Sequence, residues 1–382
     1  MNIAFAGLFF SLFPFPLSLL PLLLSHIRQT GPLTVAKYME LALYHPEHGY
    51  YAAAPQRSGR SGDFYTSVDV GPMFGELIAV QLAEVWRLLR AAGATYFDLV
   101  EAGAGNGRLA RDILDAASRY HPDFYENLRL TLVERSAAAR AAQLDTLGPH
   151  AGRLISSSDC LPHRVTGAIV GNELLDALPV HVVTMTASGI CEIGIGERDG
   201  ALVELDMPLS HPTLADRVDL ELEARAEVGV AAADWMYDAA QSLARGFVLL
   251  FDYGYEASVA HLRTHPHGTL MAYRAHRADS QDWLADPGET DLTAHVDLSA
   301  IRRAATAAGL ETLCILDQTY FLLGLGLAER LDSGHDRRAI EQRLAARTLV
   351  MPGGLGSTMK TMVFAKDVGR PTLQGTASGR LT

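Results

Sequence analysis

The chain has 382 residues, enough for one large domain with an appendage or for two domains, and its 48% hydrophobic content is that of a globular protein. The formal net charge is −12 and the only lysines are Lys37, Lys360 and Lys366, so positive charge comes almost wholly from scattered arginines. No basic stripe forms, which argues against nucleic acid as the main partner.

The three cysteines, Cys160, Cys191 and Cys314, lie far apart without paired spacing. They point to a reducing compartment and to neither a disulfide framework nor a metal site. Met1 to Leu24 carries no charge and is mostly Leu and Phe, broken by Pro14, Pro16 and Pro21. Three readings of this stretch compete: a membrane tether with the body on the Arg28 side, a signal segment, and an upstream start that is not used. The last is preferred. Everything after Gly31 has a cytosolic character, so the expected location is a bacterial-type cytoplasm, with a tether through residues 1–24 left open.

From Gly31 the body opens with a helix capped by Thr34 and ended by His45-Pro46. Arg57 to Asp63 is a polar glycine-rich loop, followed by Asp63-Phe64-Tyr65-Thr66-Ser67. Gly71 to Leu89 is strongly amphipathic, with Phe74, Leu77, Ile78, Leu82, Val85 and Trp86 as its inward stripe. Phe97 to Leu114, FDLVEAGAGNGRLARDIL, then reads as a buried strand, a turn and a helix. Gly103, Gly105 and Gly107 give the turn G-x-G-x-G spacing, unlike the G-x-G-x-x-G of dinucleotide enzymes. Such a turn alone is as well explained by a structural bend as by a ligand cradle. Glu101, two residues before the first glycine, would repel a pyrophosphate but suits a cationic or amino-acid-bearing ligand.

Further strands follow at Leu130 to Glu134, Arg153 to Asp159, Gly167 to Glu173 and Phe247 to Tyr253, with helices at Ala137 to Leu147 and Ala231 to Arg245. Val180 to Glu204 alternates as an antiparallel excursion would, and Leu214 to Val228 reads as a charged helix. Glu311 to Leu316 and Thr361 to Ala365 are two late strands, with a helical Leu325 to Leu349 between them. The expected fold is α/β: a doubly wound, seven-stranded Rossmann-like sheet with N-terminal helices and an inserted α+β segment. Ligands of such sheets bind at the carboxyl ends of the strands. Glu101, Glu134, Asp159, Glu173 and Asp252 all fall there, describing an acidic-rimmed crevice. Glu134 is placed to accept hydrogen bonds from two ribose hydroxyls and Asp159 to take an adenine amino group. Glu101 and the glycine backbone then face an amino-acid and sulfonium portion. S-adenosylmethionine (SAM) fits this better than NAD.

At these residues the chain resembles a known family. FYTSVDVGPMFGE, EAGAGNGRLARDIL, GNELLDALPV, DYG (Asp252 to Gly254), DLTAHVD (Asp291 to Asp297) and PGGLGSTMK (Pro352 to Lys360) are similar, in order, to signatures of MidA-like proteins, which are class I SAM-dependent methyltransferases. Their mitochondrial members are complex I assembly factors that methylate an arginine of a complex I subunit. The resemblance runs from Gly31 to about Ala365. It implies SAM binding by Glu101, Gly103, Gly105 and Glu134, with Gly107 completing the turn. It also implies that Gly62-Asp63-Phe64-Tyr65-Thr66 and Phe74-Gly75 fold over the cofactor. Two departures stand out: Ala102 where members often have a β-branched or longer residue, and Gln318-Thr319-Tyr320 where they have TQG.

The implied domain plan is an apolar segment outside the fold (1–24), an N-terminal helical part (25–95), a SAM-binding core (96–180), an insertion (181–230), the rest of the core with a helical insert (231–366) and a flexible tail (367–382). A guanidinium acceptor is a poor nucleophile while fully delocalised. Glu173 and Asp176 are the candidates to grip it and localise its charge, and Asn172 can position it through its amide. His295 is a candidate to remove a proton or orient a carboxylate. Each has a structural alternative: Asp176 as a cap before Pro179, His295 as a satisfied histidine beside the Asp297 helix cap, Asp63 as a loop-ordering residue. Three function classes therefore remain open. They are a protein methyltransferase acting on arginine of a respiratory-complex subunit or another protein, a SAM-binding assembly factor with little catalysis, and a small-molecule methyltransferase or nicotinamide oxidoreductase. A homodimer is compatible with the sequence.

Overall fold

The computed structural model describes residues 18–52, 66–256, 264–274, 277–279, 282–331, 336–351 and 355–377. The N-terminal part holds helix α1 (Leu19–Thr30), the two-residue strand β1 (Leu33–Thr34), α2 (Val35–Tyr44) and α3 (Met73–Ala91). Thr34 caps α2 by accepting from the Lys37 N–H, as its sequence position predicts.

The core then alternates β2 (Phe97–Ala102), α4 (Arg108–Tyr120), α5 (Pro122–Asn127), β3 (Leu128–Val133), α6 (Ala137–Leu147), β4 (Leu154–Ser158) and β5 (Val165–Asn172). Four strands interrupt it: β6 (His181–Thr186), β7 (Gly189–Arg198), β8 (Ala201–Met207) and β9 (Arg225–Val228). Next come α7 (Val230–Ser242) and the long β10 (Leu243–Tyr255). A small group, β11 (Met271–Arg274), β12 (Arg277–Asp279) and β13 (Asp291–Thr293), precedes β14 (Val296–Asp297) and α8 (Leu298–Ala307). The chain ends through β15 (Glu311–Asp317), α9 (Gln318–Gly324), α10 (Arg337–Val350), α11 (Leu355–Thr358) and β16 (Met359–Lys366).

The main sheet has the order β15-β16-β10-β5-β2-β3-β4, with β14 added beside the end of β10. Pairings from β4 to β10 are parallel, and β16 runs antiparallel between β10 and β15. The central strands read as near-continuous apolar runs because both of their faces are covered. Along β10, Phe247, Leu249 and Phe251 point into one core, beneath α3, α4 and α9. Val248 and Leu250 point into the other, beneath α7 and α8. After β2 the chain moves outward to β3 and β4, then returns to place β5 on the other side of β2. That reversal opens a crevice at the carboxyl ends of β2 and β5.

Several expectations change. Residues 1–17 lie outside the described residues, but Leu19 to Leu24 do not stand outside the fold. They belong to α1, whose Leu19, Leu23 and Ile27 recur every four residues and sink into a third core shared with α2, β6, β7 and Trp283. Arg28 fastens the end of α1 to Glu197 on β7 through two hydrogen bonds of 2.9 and 3.0 Å. Leu214 to Val228 is not a helix. A 3-10 turn at Pro212–Arg217 gives way to β9, whose alternating residues extend the sheet formed by β6, β7 and β8. The expected helix over Leu325 to Leu349 is limited to Arg337–Val350, after α9 closes at Gly324. The tail is docked through residue 377. Leu373 is fully buried, and Gln81 and Glu84 of α3 accept the N–H groups of Gly375 and Gln374. The β11–β13 sheet has no counterpart in the sequence reading. Among the described residues no helix is long and apolar enough to cross a membrane.

The packing of α1 sets a stability test. Leu23 is 1% exposed and Leu22, on the same helix, is 40% exposed. Leu23→Ala should cost about 2–4 kcal/mol, and Leu22→Ala should stay within about 0.5 kcal/mol, measured by urea unfolding. Equal effects would put α1 outside the cooperative unit.

Candidate functional site

The crevice holds a cavity of about 290 Å³. Its floor is the turn after β2. Gly103 and Gly105 take left-handed φ angles of 68° and 51°, where an L side chain is strained. A β-carbon on Gly103 would come within 3.0 Å of Leu174, whereas one on Gly105 would meet nothing within 4 Å. Gly105 therefore presents bare backbone to open space. Gly107 is the residue before α4, in the same left-handed region.

Glu101 ends β2 and is 5% exposed. Its Oε2 accepts the Ala110 N–H of the first turn of α4 at 2.9 Å. Burial pushes its carboxyl up to about 8, against the opposing pull of that amide. Glu134 follows β3. One of its oxygens accepts the Gly105 N–H at 2.8 Å and the other the Ser136 N–H at 2.7 Å. A carboxylate offers about four acceptor positions, so Glu134 both shapes the turn and keeps capacity for ribose hydroxyls. Ser136 in turn caps α6 by accepting from Ala139. Asp159 is exposed at the cavity mouth, where its carboxylate accepts the Cys160 thiol at 3.3 Å.

Thr66 lines the cavity from the loop before α3. Its N–H and hydroxyl both donate to Asp69, and Asp69 also accepts Arg108 at 2.6 Å, so this loop is clamped to the start of α4. Asp63 and Tyr65, expected beside it, lie outside the described residues. Phe74 and Gly75 do not fold over a cofactor. Phe74 is fully buried against Phe251, and Gly75 is where α3 presses on Asp112 of α4. Their apolar character serves the helix interface.

The far wall comes from the turn after β5. Glu173 has φ 49°, uncommon for a residue with a side chain. Its own backbone N–H donates to the Phe251 carbonyl at 2.8 Å. Its Oε1 accepts the Ser67 N–H and the Asn172 side-chain amide, each at 3.3 Å. The Asn172 Oδ1 is buried without a hydrogen-bond partner among the described residues. Both residues line the cavity. Asp176 is buried behind this lining, at the side of Asp252 and Asp291. Burial, reinforced by the Asp176 charge, holds the Glu173 carboxyl well above the usual range, and burial beside Asp252 and Asp291 does the same to Asp176.

His295 is not brought to the cavity. Its ring is half-buried against that of His265, its backbone N–H donates to the Thr269 hydroxyl, and burial lowers the pKa of the imidazole. The neighbouring Asp297 caps α8, and Ala294 binds the Asp176 carbonyl through its backbone. The motif around His295 is thus a wall of the acidic chamber, and the imidazole faces away from it.

Sequence reasoning missed the roof. Tyr44 and Tyr51 line the cavity from α2 and the turn after it. Tyr44 donates to the Ala177 carbonyl at 3.0 Å, and Tyr51 to Asp291 at 2.9 Å. It also missed Gln318, which is fully buried, accepts the Ser67 hydroxyl at 3.1 Å and donates to the Leu349 carbonyl. At the departure Gln318-Thr319-Tyr320, Gln318 and Thr319 therefore act as a structural joint. The adjacent Ser67, not a substrate, is what Gln318 holds.

These residues fit SAM. The space left by the missing side chain of Gly105, the spare acceptor capacity of Glu134 and the carboxyl of Glu101 suit the bulk, ribose hydroxyls and ammonium group of the cofactor. Among the described residues no group of three or more metal-ligating side chains gathers.

Comparison with known proteins agrees with this geometry. Residues 77–316 match the model of a family described as S-adenosyl-L-methionine-dependent methyltransferase. The crystal structure of a protein from Burkholderia thailandensis bound to S-adenosyl-homocysteine superposes with a TM-score of 0.86 at 33% identity, covering 94% of this chain and 95% of that one. The zebrafish mitochondrial protein arginine methyltransferase NDUFAF7 is 30% identical over 82% of this chain and 78% of its own. The human protein of that name is 28% identical over 86% and 79%. The family expected from the motifs is the one found, and this chain belongs to the S-adenosyl-L-methionine-dependent methyltransferases.

Proposed function

We propose that the chain transfers a methyl group to the guanidinium of an arginine in a partner protein. The observation that carries this reading is the acidity of the chamber beside the cavity, which no cation among the described residues offsets. Asp176 and Asp252 are buried beside the partly buried Glu173, and each of the three has a neighbouring carboxylate pushing its pKa up. Buried anions without a cation are costly, and a guanidinium, charged at any working pH, supplies what is missing. The naming of the zebrafish and human relatives as protein arginine methyltransferases supports the same acceptor. An arginine of a respiratory-complex subunit, implied by the family resemblance, is the first candidate.

In this reading the adenosyl and amino-acid parts of the cofactor are held by Glu101, the Gly103 to Gly107 turn, Glu134, Asp159 and Thr66. SAM supplies an electrophilic methyl group on a sulfonium. The protein's part is largely positioning. Glu173 accepts the N–H groups of one guanidinium edge, which aims a single nitrogen and localises charge on the others. Asn172 Oδ1 accepts a further N–H. Asp176 adds negative charge from behind, and the seated cation is what favours the ionised form of Glu173. The nitrogen that gains the methyl sheds a proton, and Glu173 is the nearest group to receive it.

Glu173→Gln keeps the shape and removes the charge. It should lower arginine methylation by at least about a hundredfold with S-adenosyl-homocysteine affinity unchanged. Transfer of labelled methyl from SAM to lysate proteins, with the modified residue located by mass spectrometry, checks this. A Gln variant as active as the wild type would remove Glu173 from the chemistry, and no transfer by the wild type would leave an assembly factor that only binds.

The cofactor half has its own test. Glu101 is pushed up to about 8, so at pH 7 it carries a proton in the empty protein. A cationic ammonium displaces that proton, and binding should release protons to the buffer. Calorimetric titration with SAM at pH 7 should give an apparent enthalpy that depends on the buffer's ionisation enthalpy. Glu134→Ala should weaken binding about tenfold or more. The same raised carboxyls bind more protons folded than unfolded. Stability of the empty protein should therefore fall as pH rises from about 4.5 towards 8, and saturating SAM should flatten that slope.

A further inference from the structure

The turn that presents Glu173 is anchored by a residue outside the cavity. Asp252 lies near the carboxyl end of the central strand β10 and is 1% exposed. Its Oδ2 accepts the N–H groups of Leu174 at 3.0 Å and Leu175 at 2.7 Å, and its Oδ1 accepts its own neighbour, Tyr253, at 2.9 Å. Two consecutive amides of one turn thus converge on a single oxygen of the adjacent strand. They belong to the two residues that follow Glu173, whose left-handed φ of 49° sends the chain back towards β10. The carbonyl of Phe251, one residue before Asp252, takes the Glu173 N–H. Three successive amides, of Glu173, Leu174 and Leu175, are therefore received by two successive residues of β10.

We propose that Asp252 is a positioning residue for methyl transfer: its carboxylate fixes the 173–176 turn so that Glu173 faces the acceptor nitrogen. This rests on the reading of Glu173 as the group that grips the guanidinium. The chemistry calls for an anion at position 252. An asparagine there offers one acceptor oxygen, and its NH₂ would oppose any amide turned towards it. An anion also meets the N–H groups with charge-assisted hydrogen bonds, roughly twice as strong as neutral ones. The groups around Asp252 leave this task to backbone. Glu173 and Asp176 on the turn are themselves acidic, Asp291 lies beyond Asp176, and Tyr253 is a neutral phenol. Lys360, the register partner of Asp252 on β16, is engaged by Asp317. Burial pushes Asp252 up to about 7, with the Glu173 charge adding to the rise and the three amides opposing it.

This separates two halves of the site. The cofactor contacts run through β2, β3 and the glycine turn, none of which Asp252 touches. Loss of the anchor should misplace Glu173 and leave the cofactor pocket standing.

The test uses the full chain, S-adenosyl-homocysteine and an acetyl-glycyl-arginyl-glycine amide as acceptor probe. In Asp252→Asn the Leu174 and Leu175 amides should exchange with solvent at least about tenfold faster, while Gly105 keeps its protection. Cofactor-product affinity should stay within about threefold. Affinity for the peptide, measured with S-adenosyl-homocysteine bound, should fall at least about tenfold. In the wild type, amide resonances of Leu174 and Leu175 should titrate together near neutral pH, and their midpoint should drop in Glu173→Gln because one neighbouring charge is gone. That second measurement stands if the Asn variant does not fold. Unchanged amide protection, an equal loss of cofactor and peptide binding, or Leu174 and Leu175 resonances that do not titrate would overturn the proposal. Peptide binding lost in Glu173→Gln but intact in Asp252→Asn would sink the anchor alone. Binding intact in both would instead remove the reading of Glu173.

Discussion

The site depends on one repeated arrangement: a carboxylate at the end of a parallel strand takes backbone N–H groups from a neighbouring turn. Glu101 on β2 receives Ala110 of α4. Glu134 after β3 receives Gly105 and Ser136, tying the β2 turn to the start of α6. Asp252 on β10 receives Leu174 and Leu175 from the turn after β5. Helix N-termini and tight turns leave amides without partners, and the strand ends leave buried acids without cations. Each need meets the other. The crevice stays open because its walls are satisfied by backbone and do not have to close on one another.

The same arrangement leaves a surplus. Backbone amides carry only partial charge, so Glu101, Glu173, Asp176 and Asp252 remain harder to ionise than carboxylates in water. In the empty protein burial favours the protonated form of each. Two cationic ligands, an ammonium at Glu101 and a guanidinium at Glu173, would replace those protons. Binding and ionisation are thereby linked, which favours cations over neutral analogues of the same shape.

What the sequence disclosed was local. Glu101, the glycine turn and Glu134 were legible because strand, turn and helix follow one another within a few tens of residues, and an acid at a strand's end has few places to go. Asp252 and Glu173 were legible as strand-end acids, but the bonds from Leu174 and Leu175 of the Glu173 turn to Asp252 depend on β10 lying beside β5, across 78 and 77 positions. Tyr51 was opaque for the same reason on a larger scale, since it meets Asp291 across 240 positions. His295 shows the opposite error. The segment Thr293 to Asp297 is close to the chamber, but the rotation that sends its imidazole to His265 leaves no trace in the residue types. For Leu19 to Leu24, hydropathy alone measured how apolar the stretch is. The four-residue spacing of Leu19, Leu23 and Ile27 carried the information that one face is buried against protein.

The appendages complete a site that the main sheet leaves half-built. The seven strands supply a floor and the acids, yet an open crevice would leave those acids in water with ordinary pKa values. Tyr44 and Tyr51 come from the N-terminal part, and Asp291 from the small β11–β13 sheet. The hydrogen bonds Tyr44–Ala177 and Tyr51–Asp291 join these pieces over the crevice. The third core explains why α1 and the β6–β9 sheet are needed for this. Tyr38, Met39, Ala42 and Leu43 of α2 pack with Leu23 of α1, Val182 of β6 and Ile195 of β7. That packing holds α2 where its last residue, Tyr44, reaches the cavity. Removing support as distant as Leu23 would loosen the roof, re-admit water and return the carboxylates towards ordinary acidity. The apolar face of α1 and the burial of the carboxylates are thus linked through the roof between them.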